Sequence, residues 1–351
     1  MTKSTNVYIL GAGSMGGLVA CELSSLANCP NITLLLRNPA RVEHFRSINK
    51  STIYINRLFK DPVEKISNKF NSASSKDINE DIENLIITTK TYQTQNALKD
   101  YLPFIKPTSN ILLIQNGLGV VDELYKDVWP NIGERPNIYQ GVISHGGFIT
   151  SNTGDNYEIS HAGFGDLKIA KFPRDPNSAE EEEIVKPDFL KQLEDAKGLA
   201  TSVLSYSDLL LIQLKKFVVN ACMNPVTAII NCVNKELKSF DDLSKLFMDI
   251  TNEVIDVFMA TNPLLSKNPN ASKILDKQSL VDYVVLCGTV WNAQNSSSMR
   301  QDTLHLRDTE VDYINGYVVK VAEANGLKAD VNKTITNLVK LRLSVNRIRE
   351  E

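Results

Sequence analysis

An N-terminal α/β domain followed by an all-helical C-terminal domain is what this sequence predicts, and three observations carry the prediction. A strand, a glycine-rich turn, a helix and a second strand follow one another within residues 6–37. Further apolar runs at 82–90, 111–119 and 137–149 lead into polar residues and turns. From about residue 208 the strand signals stop and long stretches of helical periodicity take over. A chain of 351 residues has room for two domains of ordinary size, divided here as 1–207 and 208–351.

The first strand is Asn6–Leu10, NVYIL. It runs straight into GAGSMG, residues Gly11, Ala12, Gly13, Ser14, Met15 and Gly16, and then into LVACELSSLA with helical periodicity. In this setting the glycines have separate physical tasks. Gly11 permits the tight turn, Gly13 lets backbone amides approach a pyrophosphate, and Gly16 lets the helix lie close to the strand. The helix N-terminus then faces the negative charge. The fold expected is therefore a Rossmann-type dinucleotide-binding domain. The next apolar run, ITLLLRN, ends in Arg37 and Asn38, with Arg41 one turn on. A carboxylate at this place would bind ribose hydroxyls, whereas a cation accepts an extra phosphate, so the cofactor expected is NADPH/NADP.

Residues 51–80 are polar and are expected to hold a small strand pair, including TIYI, and loops. The strand 82–90 ends at Lys90 and the strand 111–119 ends in Asn116-Gly117. Ligands of open parallel sheets bind at the carboxyl ends of the strands, which makes Lys90 and Asn116 candidates for lining the crevice. Residues 137–149 read as one more strand, and YEISHAGFGDLKIA as paired antiparallel strands around a glycine-rich turn. The stretch 172–197 contains three prolines and the acidic run Glu180–Glu183, read as a solvated loop and an exposed helix start. TSVLSYSDLL is expected to include the last strand, with Ser207 or Asp208 capping the following helix.

That helix carries QLKKFVVNACMN. Lys216, Asn220 and Asn224 are spaced four apart and share nearly one helical face, while the residues between them are apolar. An ammonium on a buried face is costly unless a site demands it. Pro225 should kink or end the helix. Farther on, Ser298 and Glu310 lie twelve residues apart, and Asp308 or Thr309 can cap a helix with Glu310 in its first turn. TNPLLSKNPNASK reads as a loop.

Composition narrows the function classes. Hydrophobic content of 42% and charged content of 23% describe a soluble globular chain. A net charge of −3 gives no electrostatic case for nucleic acid or an anionic membrane. There is no apolar run of about 18 residues, as a transmembrane helix requires. The N-terminus goes straight into a strand, leaving no room for a signal peptide. Five cysteines and four histidines are scattered without ligand spacing, which argues for reduced thiols in a cytoplasmic setting and against a metal site.

Taken together, GAGSMG, TTKTYQ, QNGLG, ISHGG, KKFVVNACMNPVTAIINCVN and SSMRQD with TEVDYINGY resemble, in this order, the ketopantoate reductase family over nearly the whole chain. The resemblance implies a catalytic role for Lys216 and Glu310. It implies substrate contacts for Asn116, Asn220, Asn224, Asn234 and Ser298. It places Lys90, Asn116, Glu310 and Gly147 against the cofactor, beside the glycine turn and Arg37. Leu214 departs from the family, which often has Trp there.

The activity implied is NADPH-dependent reduction of a small-molecule 2-oxo substrate, ketopantoate to pantoate, with Lys216 as proton donor. Other readings stay open at this stage. The first is a relative with broader 2-oxo acid, ester or diketone substrates. The second is a 3-hydroxyacid or glycerol-phosphate dehydrogenase of the same architecture, and the third a non-catalytic NADP-sensing protein. A homodimer is also left open.

Overall fold

The computed structural model describes residues 5–151, 156–176 and 186–350; the Glu180–Glu183 run lies outside the described residues. The chain divides into two compact units, Met1–Gln115 with Asp122–Leu209, and Asn116–Val121 with Leu210–Glu351.

The first unit contains strands β1 (Asn6–Leu10), β2 (Asn31–Leu35), β3 (Thr52–Arg57), β4 (Glu64–Lys69), β5 (Asn71–Ala73), β6 (Asn84–Ile87), β7 (Asn110–Leu113), β8 (Asn137–Ile143), β9 (Gly146–Ser151), β10 (Tyr157–Gly163), β11 (Leu167–Lys171) and β12 (Thr201–Val203). Eight of them form one sheet in the order β12-β11-β8-β7-β6-β1-β2-β5. The run from β5 to β8 is parallel throughout, β11 is antiparallel to β8, and β12 is parallel to β11. The central strands are apolar on both faces because both faces are covered.

The second sheet, β4-β3-β10-β9, has four strands. The helix Ser14–Ser24 shares a core with both sheets, and its residues from Gly16 to Leu23 are all buried. Such a helix must be apolar all round rather than striped. Its one acid, Glu22, is buried and paired with Arg57.

Two expectations are corrected here. The stretch 137–149 is not one strand: β8 belongs to the large sheet and β9 to the small one. Nor do β10 and β11 pair with each other. β10 pairs with β9 and β3, and β11 with β8 and β12. The chain changes sheet at both places, and the corner has no room for a side chain on Gly165, where a Cβ would lie 2.5 Å from the Ser144 carbonyl carbon. TIYI does pair as expected, antiparallel to β4.

Every described element after β12 is helical. The long helix Tyr206–Ile230 begins with Ser205 as its cap, whose Oγ accepts from the Asp208 amide at 3.2 Å, so neither Ser207 nor Asp208 is the cap. Pro225 does not end this helix. It runs on to Ile230 and stops where Asn231 turns left-handed, φ 56°. Proline leaves the carbonyl four residues earlier without its helical donor. Here that carbonyl, on Ala221, accepts from Asn315 Nδ2 at 3.0 Å.

The long helix is the largest contributor to the second unit's core, with Leu214, Phe217, Val218 and Cys222 buried, and the helices Leu243–Thr261, Lys277–Leu286, Asn315–Ala324 and Asp330–Glu350 add Phe247, Ile250, Val254, Val281, Val284, Val318 and Val339. TNPLLSKNPNASK is not simply a loop; it forms two short helices, Pro263–Lys267 and Ala271–Ile274. Asn262 caps the first of them, accepting from the Leu265 amide at 3.1 Å. Glu310 is not in the first turn of an α-helix either. It precedes a single 3-10 turn, Val311–Tyr313, and the α-helix starts only at Asn315 because the Ile314 backbone (φ −113°, ψ −103°) interrupts it. No helix among the described residues is long and apolar enough to cross a membrane.

Candidate active site

In the first unit the glycine turn joins the end of β1 to the helix Ser14–Ser24. Gly11 adopts φ +103°, and a Cβ there would meet the Thr89 amide nitrogen at 2.6 Å. On Gly16 a Cβ would meet the Gly11 carbonyl oxygen at 2.2 Å. Gly13 is different: a Cβ there would find nothing within 4 Å. The space in front of Gly13, at the amino end of an eleven-residue helix, therefore has the chemistry of a phosphate cradle. The turn is braced from behind by Thr88, whose hydroxyl donates to the Gly11 carbonyl, and by Tyr157, whose hydroxyl donates to that of Ala12. Burial holds the Tyr157 phenol above its ordinary pKa, opposed by the charge of Arg41.

Arg37 is exposed just beyond β2, and Asn38 caps the next helix by accepting from the Arg41 amide at 3.0 Å. Gly147, on β9, lies against the turn itself: a Cβ there would touch Met15 Cε at 3.0 Å and Ser14 Cβ at 3.9 Å. Lys90 is half-buried at the start of a 3-10 turn that follows β6. Gln115 bridges the ends of β6 and β7, donating to the Thr89 carbonyl at 2.7 Å and to Thr94 Oγ1 at 2.7 Å. Gly11, Ala12, Gly13, Ser14, Met15, Gly16 and Gly147 are thus brought together. These residues fit a dinucleotide pyrophosphate.

The second unit holds the remaining candidates. Lys216, Asn220 and Asn224 are half-buried along the long helix. The neighbouring Lys215 places its Nζ 3.9 Å from the centroid of the Tyr283 ring. Adjacent helical residues point about 100° apart, so the two lysines serve different faces. Asn116 belongs to this unit as well, and its Nδ2 lies 3.5 Å from Glu310 Oε2. The loop behind Asn116 is seated on the Glu310 segment, with the Leu118 amide donating to the Tyr313 carbonyl at 2.8 Å. Asn234 is buried and donates to the Asn292 carbonyl at 3.0 Å, while its Oδ1 has no hydrogen-bond partner. Ser298 is exposed on the first turn of the helix Ser298–Leu304.

Sequence reading missed two braces in this unit. Ser297, not Ser298, caps the helix Ser298–Leu304 by accepting from the Arg300 amide at 3.1 Å. It also lies 2.7 Å from Thr227 Oγ1, which ties the Ser298 turn to the long helix just past Asn224. The second brace is Asn315 on the Ala221 carbonyl. Serine and threonine at helix starts are visible in sequence, but a partner about seventy residues away is not. Cys222, on the long helix, is not a nucleophile. Burial pushes its thiol up to about 12. Among the described residues no cluster of His, Cys, Asp or Glu could hold a metal ion.

A Rossmann-type unit joined to a helical unit that presents a lysine, asparagines and a buried glutamate defines a class of nicotinamide-dependent oxidoreductases. The family description "Ketopantoate reductase PanE/ApbA" matches residues 7–174, and its C-terminal counterpart matches residues 208–343. The chain belongs to the ketopantoate reductase family. It is 45% identical over 350 residues to a Schizosaccharomyces pombe protein named "Probable 2-dehydropantoate 2-reductase", covering 99% of each chain. With the 2-dehydropantoate 2-reductase of Saccharomyces cerevisiae it shares 38% identity over 376 aligned positions, covering 98% of this chain and 96% of the other. Among solved structures, D-mandelate dehydrogenase in ternary complex with NADH and anilino(oxo)acetate has the same fold, with a TM-score of 0.77 at 20% identity over 98% of this chain and all of that one.

Proposed function

We propose that this protein reduces 2-dehydropantoate (ketopantoate) to pantoate with NADPH, and that Lys216 is the proton donor. One observation carries the reading: the match to 2-dehydropantoate 2-reductases runs the full length of the chain, at 45% identity to the S. pombe relative. The functional division falls between residues 207 and 208, with the nucleotide held on the N-terminal side and the substrate groups, Asn116 apart, on the C-terminal side.

When bound, NADPH supplies a hydride to the substrate's carbonyl carbon. The glycine turn would hold its pyrophosphate, Arg37 its 2′-phosphate, and Lys90, Asn116 and Gly147 would flank it. Lys216 has two tasks. Its charge stabilises the negative charge that develops on the carbonyl oxygen, and its Nζ then delivers a proton to that oxygen. Glu310 keeps the ammonium charged and aimed. Asn116, Asn220, Asn224 and Ser298 orient the 2-oxo carboxylate and the substrate hydroxyl without adding charge. The buried Asn234 Oδ1 is an acceptor suited to a hydroxyl donor.

The test is NADPH consumption against ketopantoate, ketopantoyl lactone and aryl 2-oxo esters. Ketopantoate should give the highest kcat/KM. Lys216→Ala should lower kcat by about 10²–10⁴-fold, the range for losing a positioned acid. Asn220→Ala should raise KM more than it lowers kcat, as for lost uniform binding. A folded Lys216→Ala variant that keeps most of its turnover would make the ammonium structural. No NADPH consumption with any substrate would leave a sensing role instead.

A further inference from the structure

Asn315 belongs to the TEVDYINGY stretch, yet neither the nucleotide nor the substrate reading uses it. Its side chain is fully buried. Nδ2 donates to the Ala221 carbonyl at 3.0 Å and to Asn332 Oδ1 at 3.0 Å. The network fixes the orientation of this amide, because both partners can only accept. Ala221 offers a carbonyl, and the Asn332 amide nitrogen is itself engaged with the Ile250 carbonyl at 3.3 Å and Glu253 Oε2 at 2.7 Å.

The Ala221 carbonyl is the acceptor that Pro225 leaves vacant, since an α-helix pairs the carbonyl of residue i with the amide of i+4 and proline has no N–H. Asn315 fills the vacancy from another element. The place matters. Ala221 directly follows Asn220 and lies five residues after Lys216, while Asn315 lies five residues after Glu310. The segment from Glu310 to Asn315 is also held by Asn116, 3.5 Å from Glu310, and by the Leu118 amide on the Tyr313 carbonyl at 2.8 Å.

We infer that Asn315 is a positioning residue for the reaction: through the carbonyl vacated by Pro225, it fixes the Glu310 segment against the helix that carries Lys216, Asn220 and Asn224. The inference rests on the roles proposed above for Lys216 and Glu310.

The experiment separates this role from simple repair of the helix. In Pro225→Ala the new amide reaches the Ala221 carbonyl, so the double variant Asn315→Ala/Pro225→Ala has no vacant acceptor there and should regain thermal stability over Asn315→Ala. Its kcat for 2-dehydropantoate should nevertheless stay about 10–100-fold below that of Pro225→Ala, the scale of a small misplacement of reacting groups. NADPH affinity should be unchanged within a few-fold. Hydrogen exchange in peptides spanning 310–317 should be faster in the double variant than in Pro225→Ala, by on the order of 10-fold. Turnover that returns together with stability would show that Asn315 only repairs the proline, and would overturn the inference. Wild-type protein inactive on 2-dehydropantoate would instead overturn the substrate assignment. Exchange at 310–317 needs no substrate and would then decide alone: faster exchange supports the anchor, and unchanged protection refutes it.

Discussion

Gly13 and Gly16 stand three residues apart in one motif, and their surroundings predict opposite outcomes for the same substitution. A methyl group on Gly16 collides with the Gly11 carbonyl oxygen at 2.2 Å, which is backbone and cannot step aside. Gly16→Ala should therefore lower the melting temperature, whether or not nucleotide is present. At Gly13 the φ of −80° suits any residue and a Cβ meets nothing within 4 Å. Gly13→Ala should fold with a loss of about 1 kcal/mol, the cost of alanine at a helix N-cap, and lose NADPH binding, measured by fluorescence titration. Normal NADPH affinity in Gly13→Ala would mean that the open space is not the phosphate cradle. Arg37→Ala tests the neighbouring assignment. It should weaken NADPH by about 1.5–3 kcal/mol, the scale of a charged hydrogen bond, and leave NADH almost unchanged. Equal losses for both cofactors would refute it. The glycine spacing was legible in the sequence, but what packs against each glycine was not: Gly11 meets the backbone of Thr88 and Thr89, more than seventy residues away.

At the scale of elements, period and turn chemistry identified the long helix and the parallel strands, since both are local signals. Pairing was harder. β8 and β9 read as one strand because the break falls on Ser144 and His145, which are ordinary strand-end residues. The corner is held by a histidine pair that no local pattern announces. His145 Nε2 lies 3.1 Å from the Leu199 carbonyl and so carries a proton. His145 Nδ1 must then accept, both from the Gly165 amide at 3.1 Å and from His161 Nε2 at 3.0 Å. This arrangement requires the His145 ring to be neutral. Burial is the largest cause that lowers the His161 pKa from 6.5 to about 4, and protonation of His145 and the charge of Arg57 act in the same direction. Between those values the unfolded chain binds a proton that the folded chain refuses. Stability is then complete above pH 6.5 and declines as the pH falls toward 4. Urea unfolding across that range should show the decline, and His161→Asn should flatten it. A wild-type midpoint that stays constant from pH 6.5 to 4 would show that the pair is not coupled to folding.

Across the whole molecule, the sequence made the order of an α/β half and a helical half legible, because strand signals cease near residue 208. It did not show that Asn116–Val121, embedded in the α/β half of the chain, folds with the helical unit. That assignment rests on contacts such as the Leu118 amide with the Tyr313 carbonyl, nearly two hundred residues away in sequence. The division of labour proposed here has a thermodynamic consequence. A ligand that binds only the folded state stabilises it by RT ln(1 + [L]/Kd), about 2.7 kcal/mol at one hundred times Kd. If the nucleotide grip resides in the glycine turn, Arg37 and their neighbours, removing the proton donor should not change this gain. Lys216→Ala should then show the same NADPH-induced rise in melting temperature as wild type, despite its lost turnover. Gly13→Ala should show almost none at the same NADPH concentration. A Lys216→Ala variant whose NADPH stabilisation falls by more than about 1 kcal/mol, roughly a five-fold weaker Kd, would make the ammonium part of the cofactor's grip. Its loss of turnover could then no longer be read as the loss of a proton donor alone.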